Sequence, residues 1–280
     1  MPELPEVETV RAGLEPVLVG RRLARVEARR PDLRFPLPDG FVQRLTGARV
    51  VNLRRRAKYL LAGLDRGGAL LMHLGMTGRF EIEGALLREG FALAAPADAK
   101  HAHILFETDE GVRITFYDAR RFGFMDLVEE DDPRLLALGP EPLGPDFDAA
   151  LLDRAFAGRR QGPKTLLLDQ SVVAGLGNIY VCEALHRARI SPTRAAGSIA
   201  SRRLEPLAEA VREVLAEAIE AGGSSLRDFA AANGELGYFQ HSFRVYDREG
   251  EPCPNRGCRG VIQRTVQAGR STFFCPVCQR

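Results

Sequence analysis

Four of the chain's five cysteines lie close to its end: Cys253 and Cys258 with four residues between them, then Cys275 and Cys278 with two. Tetrahedral zinc needs four thiolates converging at about 2.3 Å from the metal, and two short-spaced pairs on adjacent hairpin turns supply that geometry. The tail is therefore expected to fold as a zinc-ribbon hairpin around one structural Zn2+. The alternative is a pair of disulfides, which a cytosolic chain would keep reduced. The first knuckle is longer than the usual two-residue spacing. Cys182, inside an apolar helical run, reads as a small buried hydrophobe. Such a ribbon stabilises a stretch too short to build a core, and says little about activity.

Upstream of the tail, the 280-residue chain has room for two domains, and 45% hydrophobic residues allow a sizeable core. Residues 5–19 read as a helix: Pro5 suits the first helical position, Val7, Val10, Leu14 and Val17/Leu18 recur at helical spacing, and Gly20 can stop it. Residues 22–130 read as β structure, with short runs at Ala48–Leu53, Tyr59–Leu64, Ala69–Leu74, Arg79–Glu83, His103–Thr108 and Val112–Tyr117, which suggests a sandwich. Prolines 133, 140, 142 and 145 mark 133–147 as a linker. Beyond it the period turns helical, most clearly from Leu204 to Ile219 before Gly222 and Gly223. The expected fold is α+β in two domains with the zinc hairpin appended: 1–132, a linker 133–147, 148–237, and 238–280. No run of about 18 apolar residues exists and the start of the chain is charged, so neither a membrane span nor a secretory signal is expected, and the expected location is cytoplasmic.

The net charge of +2 hides segregation. Basic residues cluster at 49–58, 154–168, 187–204 and beyond 256. The acids gather at Asp126–Asp132 and at Glu205, Glu209, Glu213 and Glu217, four apart on one helical stripe. Separate faces of opposite sign suit a polyanionic partner on one side. Lysine occurs only at positions 58, 100 and 164, arginine supplying the other 36 of 39 basic residues. Each lysine is therefore informative, because its ammonium can give up a proton where a guanidinium cannot.

The first residues, Met-Pro-Glu-Leu-Pro-Glu-Val-Glu-Thr, carry chemistry of their own. Removal of Met1 would leave Pro2 as a secondary amine with a reference pKa of about 8, partly unprotonated and nucleophilic at neutral pH. Condensed with an aldehyde-level carbon it gives an iminium ion, and Glu3 beside it could move a proton. On residue chemistry alone the plainer reading stands ahead: Pro2 opens the helix and Glu3 favours its positive end.

That N-terminal motif, together with the zinc tail, resembles the formamidopyrimidine-DNA glycosylase family, the bacterial 8-oxoguanine DNA glycosylases. The resemblance runs along the chain through Arg55–Leu60, His73–Met76, Arg120–Gly123, Leu138–Leu143 and Gly175–Tyr180. It implies a bifunctional base-excision repair enzyme, DNA glycosylase and abasic-site lyase, acting as a monomer on double-stranded DNA that carries oxidised purines or abasic sites, in the cytoplasm at the nucleoid. Pro2 then matches the nucleophile and Glu3 the proton donor in base loss. Lys58 matches the lysine assigned to β-elimination, and Arg270 the zinc-hairpin arginine assigned to δ-elimination.

Met76, Arg120 and Phe122 match the side chains that fill the hole left by an extruded base. Asn178, opening a helix after Gly175 and Gly177 in a helix–two-turn–helix element, matches a phosphate contact. Lys164, with Arg160 nearby, matches a DNA or lesion contact, and His101 and His73 match DNA contacts. Residues Asn233–Gln240 resemble the loop that covers the flipped base. Lys100 has no assigned role. The sister endonuclease VIII type, which removes oxidised pyrimidines, shares Pro2, Glu3 and the zinc module; Leu4–Val7 and Arg120–Gly123 favour the purine branch. A non-catalytic damage-binding protein is a further alternative, against which Pro2, Glu3 and Lys58 all speak.

Overall fold

The computed structural model describes residues 2–83, 98–224 and 237–280. By its contacts the chain forms two compact units, Met1–Leu136 with Ala221–Gln240, and Ala137–Glu220 with His241–Arg280.

The first unit opens with α1 (Leu4–Leu18), whose Leu4, Val7, Val10, Leu14, Val17 and Leu18 form a buried stripe at helical spacing. There follow β1 (Leu23–Ala28), α2 (Phe41–Leu45), β2 (Val50–Arg56), β3 (Tyr59–Leu64), β4 (Ala69–His73), β5 (Arg79–Glu83), β6 (Ala102–Thr108), β7 (Arg113–Tyr117), β8 (Phe124–Val128) and the single turn α3 (Pro133–Leu136). Two four-stranded antiparallel sheets result, ordered β1-β6-β7-β5 and β2-β3-β4-β8. Their facing side chains, among them Leu60, Leu70 and Met72 from one and Phe80, Ile104, Phe106, Ile114 and Phe116 from the other, share one core with the buried face of α1. This is the expected sandwich. Two strands, β1 and β8, were not among the expected runs.

Topology positions two loops. The β4–β5 and β7–β8 connections, which carry Met76 and Arg120–Phe122, each cross from one sheet to the other. The β2–β3 hairpin pairs Arg56 with Tyr59, leaving Ala57 and Lys58 as its turn. Ala57 sits there at φ 53, in the left-handed region that β-carbons disfavour.

The second unit contains α4 (Ala149–Phe156), α5 (Pro163–Leu167), α6 (Asn178–Arg187), α7 (Leu204–Glu220) and a hairpin of β9 (Gln263–Gln267) and β10 (Arg270–Phe274). Ala268 and Gly269 turn the hairpin with positive φ at both positions, the backbone twist that suits two-residue connections. Part of the segment read as a linker is packed: Gly139 N–H donates to the Gln170 carbonyl and the Pro140 carbonyl accepts from Ala174 N–H, at 2.8 and 3.0 Å. A β-carbon on Gly139 would lie 2.7 Å from the Ser171 carbonyl oxygen, so only glycine permits this approach. The sequence division also differs at 221–240, which belongs by contacts to the first unit. Arg187, read as part of a basic cluster, is paired with Glu213 and Glu217 across α6 and α7, at 3.1 and 2.7 Å.

Candidate functional site

Pro2 and Glu3 are buried at the start of α1. Glu3 N–H donates to Glu6 Oε2 at 2.8 Å, and the Glu3 carboxylate accepts in return from the backbone of Glu6, closing a capping box. The second oxygen of Glu6 accepts both the backbone N–H and the hydroxyl of Ser224, at 2.8 and 2.9 Å. One carboxylate, 2% exposed, thus fixes the backbone beside Pro2 and the start of the 224–240 segment. Sequence reasoning did not single out Glu6, although its position as the third residue of a helix capped by Glu3 was a signal for it. Of the expected base-covering segment, 233–236 lies outside the described residues.

Lys58 is 7% exposed, so its side chain is directed into the fold from the hairpin turn. Arg55 Nε donates to Glu8 Oε2 at 3.0 Å and its Nη1 to the Ala57 carbonyl at 3.1 Å, bracing that turn against α1. His73 at the end of β4 stacks on Phe124 with ring centroids 5.3 Å apart. Its pKa is pushed down to about 4, by burial first and then by the charges of Lys58 and Arg34. His73 Nδ1 accepts the Gly75 N–H at 3.0 Å, which leaves the proton of the neutral ring on Nε2.

The two crossing loops meet at Gly75, where a β-carbon would stand 2.2 Å from Gly123 N and Phe122 C. The Thr77 hydroxyl donates to Asp118 Oδ1 at 2.5 Å and accepts from Arg120 N–H at 3.1 Å, while Asp118 Oδ2 accepts from Gly123 N–H at 2.7 Å. Asp118 is fully buried, and its carbonyl faces His103 Nε2 at 2.8 Å. Around this anchor Met76, Arg120 and Phe122 come together on the rim of a groove of about 600 Å³ that also takes in His73 and Arg34. Phe122 is 43% exposed and carries the Arg120 guanidinium over its ring at 4.8 Å. His101 is not part of that groove lining; it sits half-buried ahead of β6 and its carbonyl accepts from Asp118 N–H at 3.1 Å. Thr77 and Asp118 were not expected from the sequence.

The remaining expected contacts belong to the second unit. Arg160 is exposed, and Arg270 is exposed where β10 leaves the hairpin turn. Lys164, expected as a DNA or lesion contact, lies in the interior of this unit. It is 1% exposed, with Nζ donating to the Ser271 carbonyl at 2.8 Å and to Thr272 Oγ1 at 2.6 Å. An ammonium taken out of water needs acceptors of this kind, and β10 supplies both. Asn178 Nδ2 donates to the same Ser271 carbonyl at 2.9 Å, and Asn178 Oδ1 is buried without a hydrogen-bond partner among the described residues. Lys164 and Asn178 therefore hold the strand that begins with Arg270. The turn ahead of α6 is organised by Gln170, whose Oε1 accepts from Gly175 N–H and whose Nε2 donates to the Leu176 carbonyl, both at 2.9 Å.

The four tail cysteines converge, with all four sulfurs within 4.8 Å of one another. Cys253–Cys278 and Cys258–Cys275 are separated by 3.7 and 3.6 Å, close to the edge of about 3.8 Å that a tetrahedron with 2.3 Å zinc–sulfur bonds requires. Gly260 N–H points at Cys258 Sγ at 3.3 Å, and a β-carbon on Gly260 would lie 2.5 Å from Cys275 Sγ. The backbone therefore passes against the sulfurs at the one residue type that fits. Among the described residues no helix is long and apolar enough to cross a membrane.

Comparison with known proteins accounts for nearly the whole chain. Residues 1–125 match the formamidopyrimidine-DNA glycosylase N-terminal domain, 138–230 its H2TH domain, and 250–280 the zinc finger found in FPG and IleRS. With that zinc-finger match, the cluster of four cysteines holds one structural zinc ion. The formamidopyrimidine-DNA glycosylases of Caulobacter sp. (strain K31) and Phenylobacterium zucineum (strain HLK1) are each 69% identical, with full coverage of both chains. Among solved structures, the MutM (FPG) protein of Thermus thermophilus superposes with a TM-score of 0.84 at 41% identity, over 99% of this chain and 98% of that one. Lactococcus lactis Fpg in complex with abasic-site DNA does so with 0.86 at 36% identity over all of both chains.

Proposed function

The chain belongs to the formamidopyrimidine-DNA glycosylase family, and from that premise we propose that it extrudes and excises oxidised purines from double-stranded DNA and then nicks the strand at the abasic site. The observation that carries the chemistry is the buried carboxylate pair of Glu3 and Glu6 beside Pro2, with an inward-directed Lys58 on the same unit. Relatives solved with abasic DNA and with Fapy-dG DNA support the same substrate class.

In this reading the Pro2 nitrogen, freed of Met1, attacks C1′. The glycosidic bond breaks and the base leaves with a proton from Glu3. Opening of the sugar ring, with a proton passed to O4′, gives an iminium ion. The iminium acidifies C2′; loss of that proton expels the 3′ phosphate, and a second elimination expels the 5′ phosphate. Lys58 supplies a proton during the first elimination, and Arg270 steadies the departing oxygen in the second. A low-dielectric surrounding strengthens each of these charge interactions.

Met76, Arg120 and Phe122 fill the gap in the stack, Arg120 hydrogen-bonding the orphaned cytosine. His73 offers its Nε2–H to a phosphate; His101, Arg160 and Asn178 make further backbone contacts. Lys164 acts from behind, through Ser271 and Thr272. Residues 1–132 thus carry the chemistry, 148–237 grip the duplex and 238–280 brace Arg270, with 221–240 working alongside the first. The site of action is the nucleoid in the cytoplasm.

Borohydride trapping on duplexes bearing an abasic site tests the nucleophile. A covalent adduct is expected in the parent and a much weaker one in Pro2→Gly; no adduct, or full yield in the variant, overturns the mechanism. Preference for thymine glycol over 8-oxoguanine opposite cytosine would overturn the substrate.

A further inference from the structure

The zinc hairpin carries a set of hydrogen bonds that the proposed reaction leaves unused. His186, on the last turn of α6, is completely buried, with Nε2 3.4 Å from Cys253 Sγ. Asn255 lies inside the long first knuckle, and its Nδ2 is 3.2 Å from Cys278 Sγ and 3.3 Å from His186 Nε2. Its Oδ1 accepts from Arg244 Nη2 at 2.8 Å, which dictates that the nitrogen end of the amide faces the sulfur. Arg244 is held in turn by Glu183 of α6, whose carboxylate accepts the backbone N–H groups of Arg244, Val245 and Tyr246 at 2.9, 3.0 and 2.8 Å.

The tautomer of His186 follows from its surroundings. Nδ1 is buried with no hydrogen-bond partner among the described residues. A proton there would be an orphaned donor, whereas a proton on Nε2 finds the sulfur of Cys253, and the Asn255 amide, which only donates, then serves Cys278 and not Nε2. A metal-bound thiolate only accepts, so Nε2–H is the form that a loaded site selects.

We infer that His186 and Asn255 are outer-shell donors to the zinc-bound thiolates of Cys253 and Cys278, slowing loss of the metal and fastening it to α6. Four thiolates around one Zn2+ leave a net charge of −2. Each N–H directed at a sulfur withdraws some of that charge and makes the sulfur a poorer target for the proton or electrophile whose arrival begins metal release. The extra length of the first knuckle, left unexplained by the zinc geometry, is the stretch that carries Asn255. α6 is then attached to the hairpin at both ends, through Asn178 to Ser271 and through His186 to Cys253.

The test uses zinc-loaded full-length protein and three variants. His186→Phe keeps a ring without a donor, His186→Gln restores an N–H near the position of Nε2, and Asn255→Ala removes the second donor from a half-buried site. Zinc transfer to an excess of chromogenic chelator is expected to quicken about 10–100-fold in His186→Phe and Asn255→Ala, and to stay within a few-fold of the parent in His186→Gln. In the cobalt-substituted proteins the sulfur-to-metal charge-transfer band is expected to move to lower energy in the first two. Parental release rates with an unmoved band in both donor-lacking variants overturn the proposal. So does His186→Gln releasing zinc as fast as His186→Phe, because packing rather than donation would then be responsible. If His186→Phe does not fold, Asn255→Ala decides: parental behaviour there overturns the proposal.

Discussion

Lys164 and Ser271 are joined by a 2.8 Å hydrogen bond from a buried ammonium to a backbone carbonyl, and the residue before Ser271 is Arg270. The lysine, with Asn178 on the same carbonyl, therefore ties down the strand that begins with the arginine. Replacement of Lys164 by Met removes the donor to Ser271 and Thr272 while filling similar space. The second elimination, which the proposed mechanism assigns to Arg270, is expected to fall about tenfold or more relative to base excision, since misplacement by an ångström costs up to two orders of magnitude. The ratio of β- to δ-elimination products on a sequencing gel reads this directly; an unchanged ratio would remove Lys164 from the positioning of Arg270.

Glu3 is expected to separate the two chemical stages. Glu3→Gln retains the size of the side chain but cannot deliver a proton, so excision of 8-oxoguanine should fall by about 10²–10⁴-fold. Pre-formed abasic DNA has already lost its base, so borohydride trapping on it should persist. Equal loss in both assays would show that Glu3 serves chiefly to hold the start of α1.

Thr77 tests whether the wedge loops work because they are fixed in advance. Thr77→Val leaves the buried Asp118 Oδ1 short of a partner and unties Arg120 N–H, an expected loss of about 1–3 kcal/mol read as a lower melting temperature. Single-turnover excision from a lesion duplex should slow, with a weaker extrusion signal from a fluorescent base analogue opposite the lesion. Nicking of a single-stranded abasic oligonucleotide, which needs no wedge, should be retained. Thr77→Ser restores the hydroxyl and should restore the extrusion signal; failure to do so would sink this account.

His73 has its folded pKa depressed to about 4 against 6.5 in an unfolded chain. Between those values the unfolded state binds more protons, so His73 contributes stability that is complete above about pH 6.5 and is lost as pH falls toward 4. At about 1.4 kcal/mol per unit the contribution is a few kcal/mol at most. Denaturant midpoints across this window should fall more steeply in the parent than in His73→Gln, and an imidazole titration followed by NMR near pH 6.5 would contradict the assignment.

Much of the architecture was legible because it repeats. β3 and β5 have the expected bounds, α1 starts and ends within a residue of them, and the cysteine spacing announced the metal. β1 was hidden because only Leu23 and Val26 of its six residues are buried and a register shift follows Leu23, which breaks the alternation that marks a strand. Among site residues, those in short motifs could be named; those defined by distant partners could not. Nothing adjacent to Lys164 reveals that strand β10 will cover it, and nothing near Asp118 reveals Thr77, 41 positions away. The arginine-rich composition blurred matters further, since Arg187 reads like its neighbours until Glu213 and Glu217 are seen beside it.

Met76 and Phe122 sit on loops that each span from one sheet of the sandwich to the other. In the proposed reading these side chains are wedges pushed back by the stacked bases they enter, and the topology divides that recoil between two sheets instead of loading one. The rigid part lies at the roots, in Gly75, Thr77 and Asp118, while the tips bear little on whether the sandwich folds. The chemistry of the tips can therefore be exchanged at small cost to stability, so a change in which opposite base is tolerated is open to the fold at Met76, Arg120 and Phe122 and closed to it at their anchors.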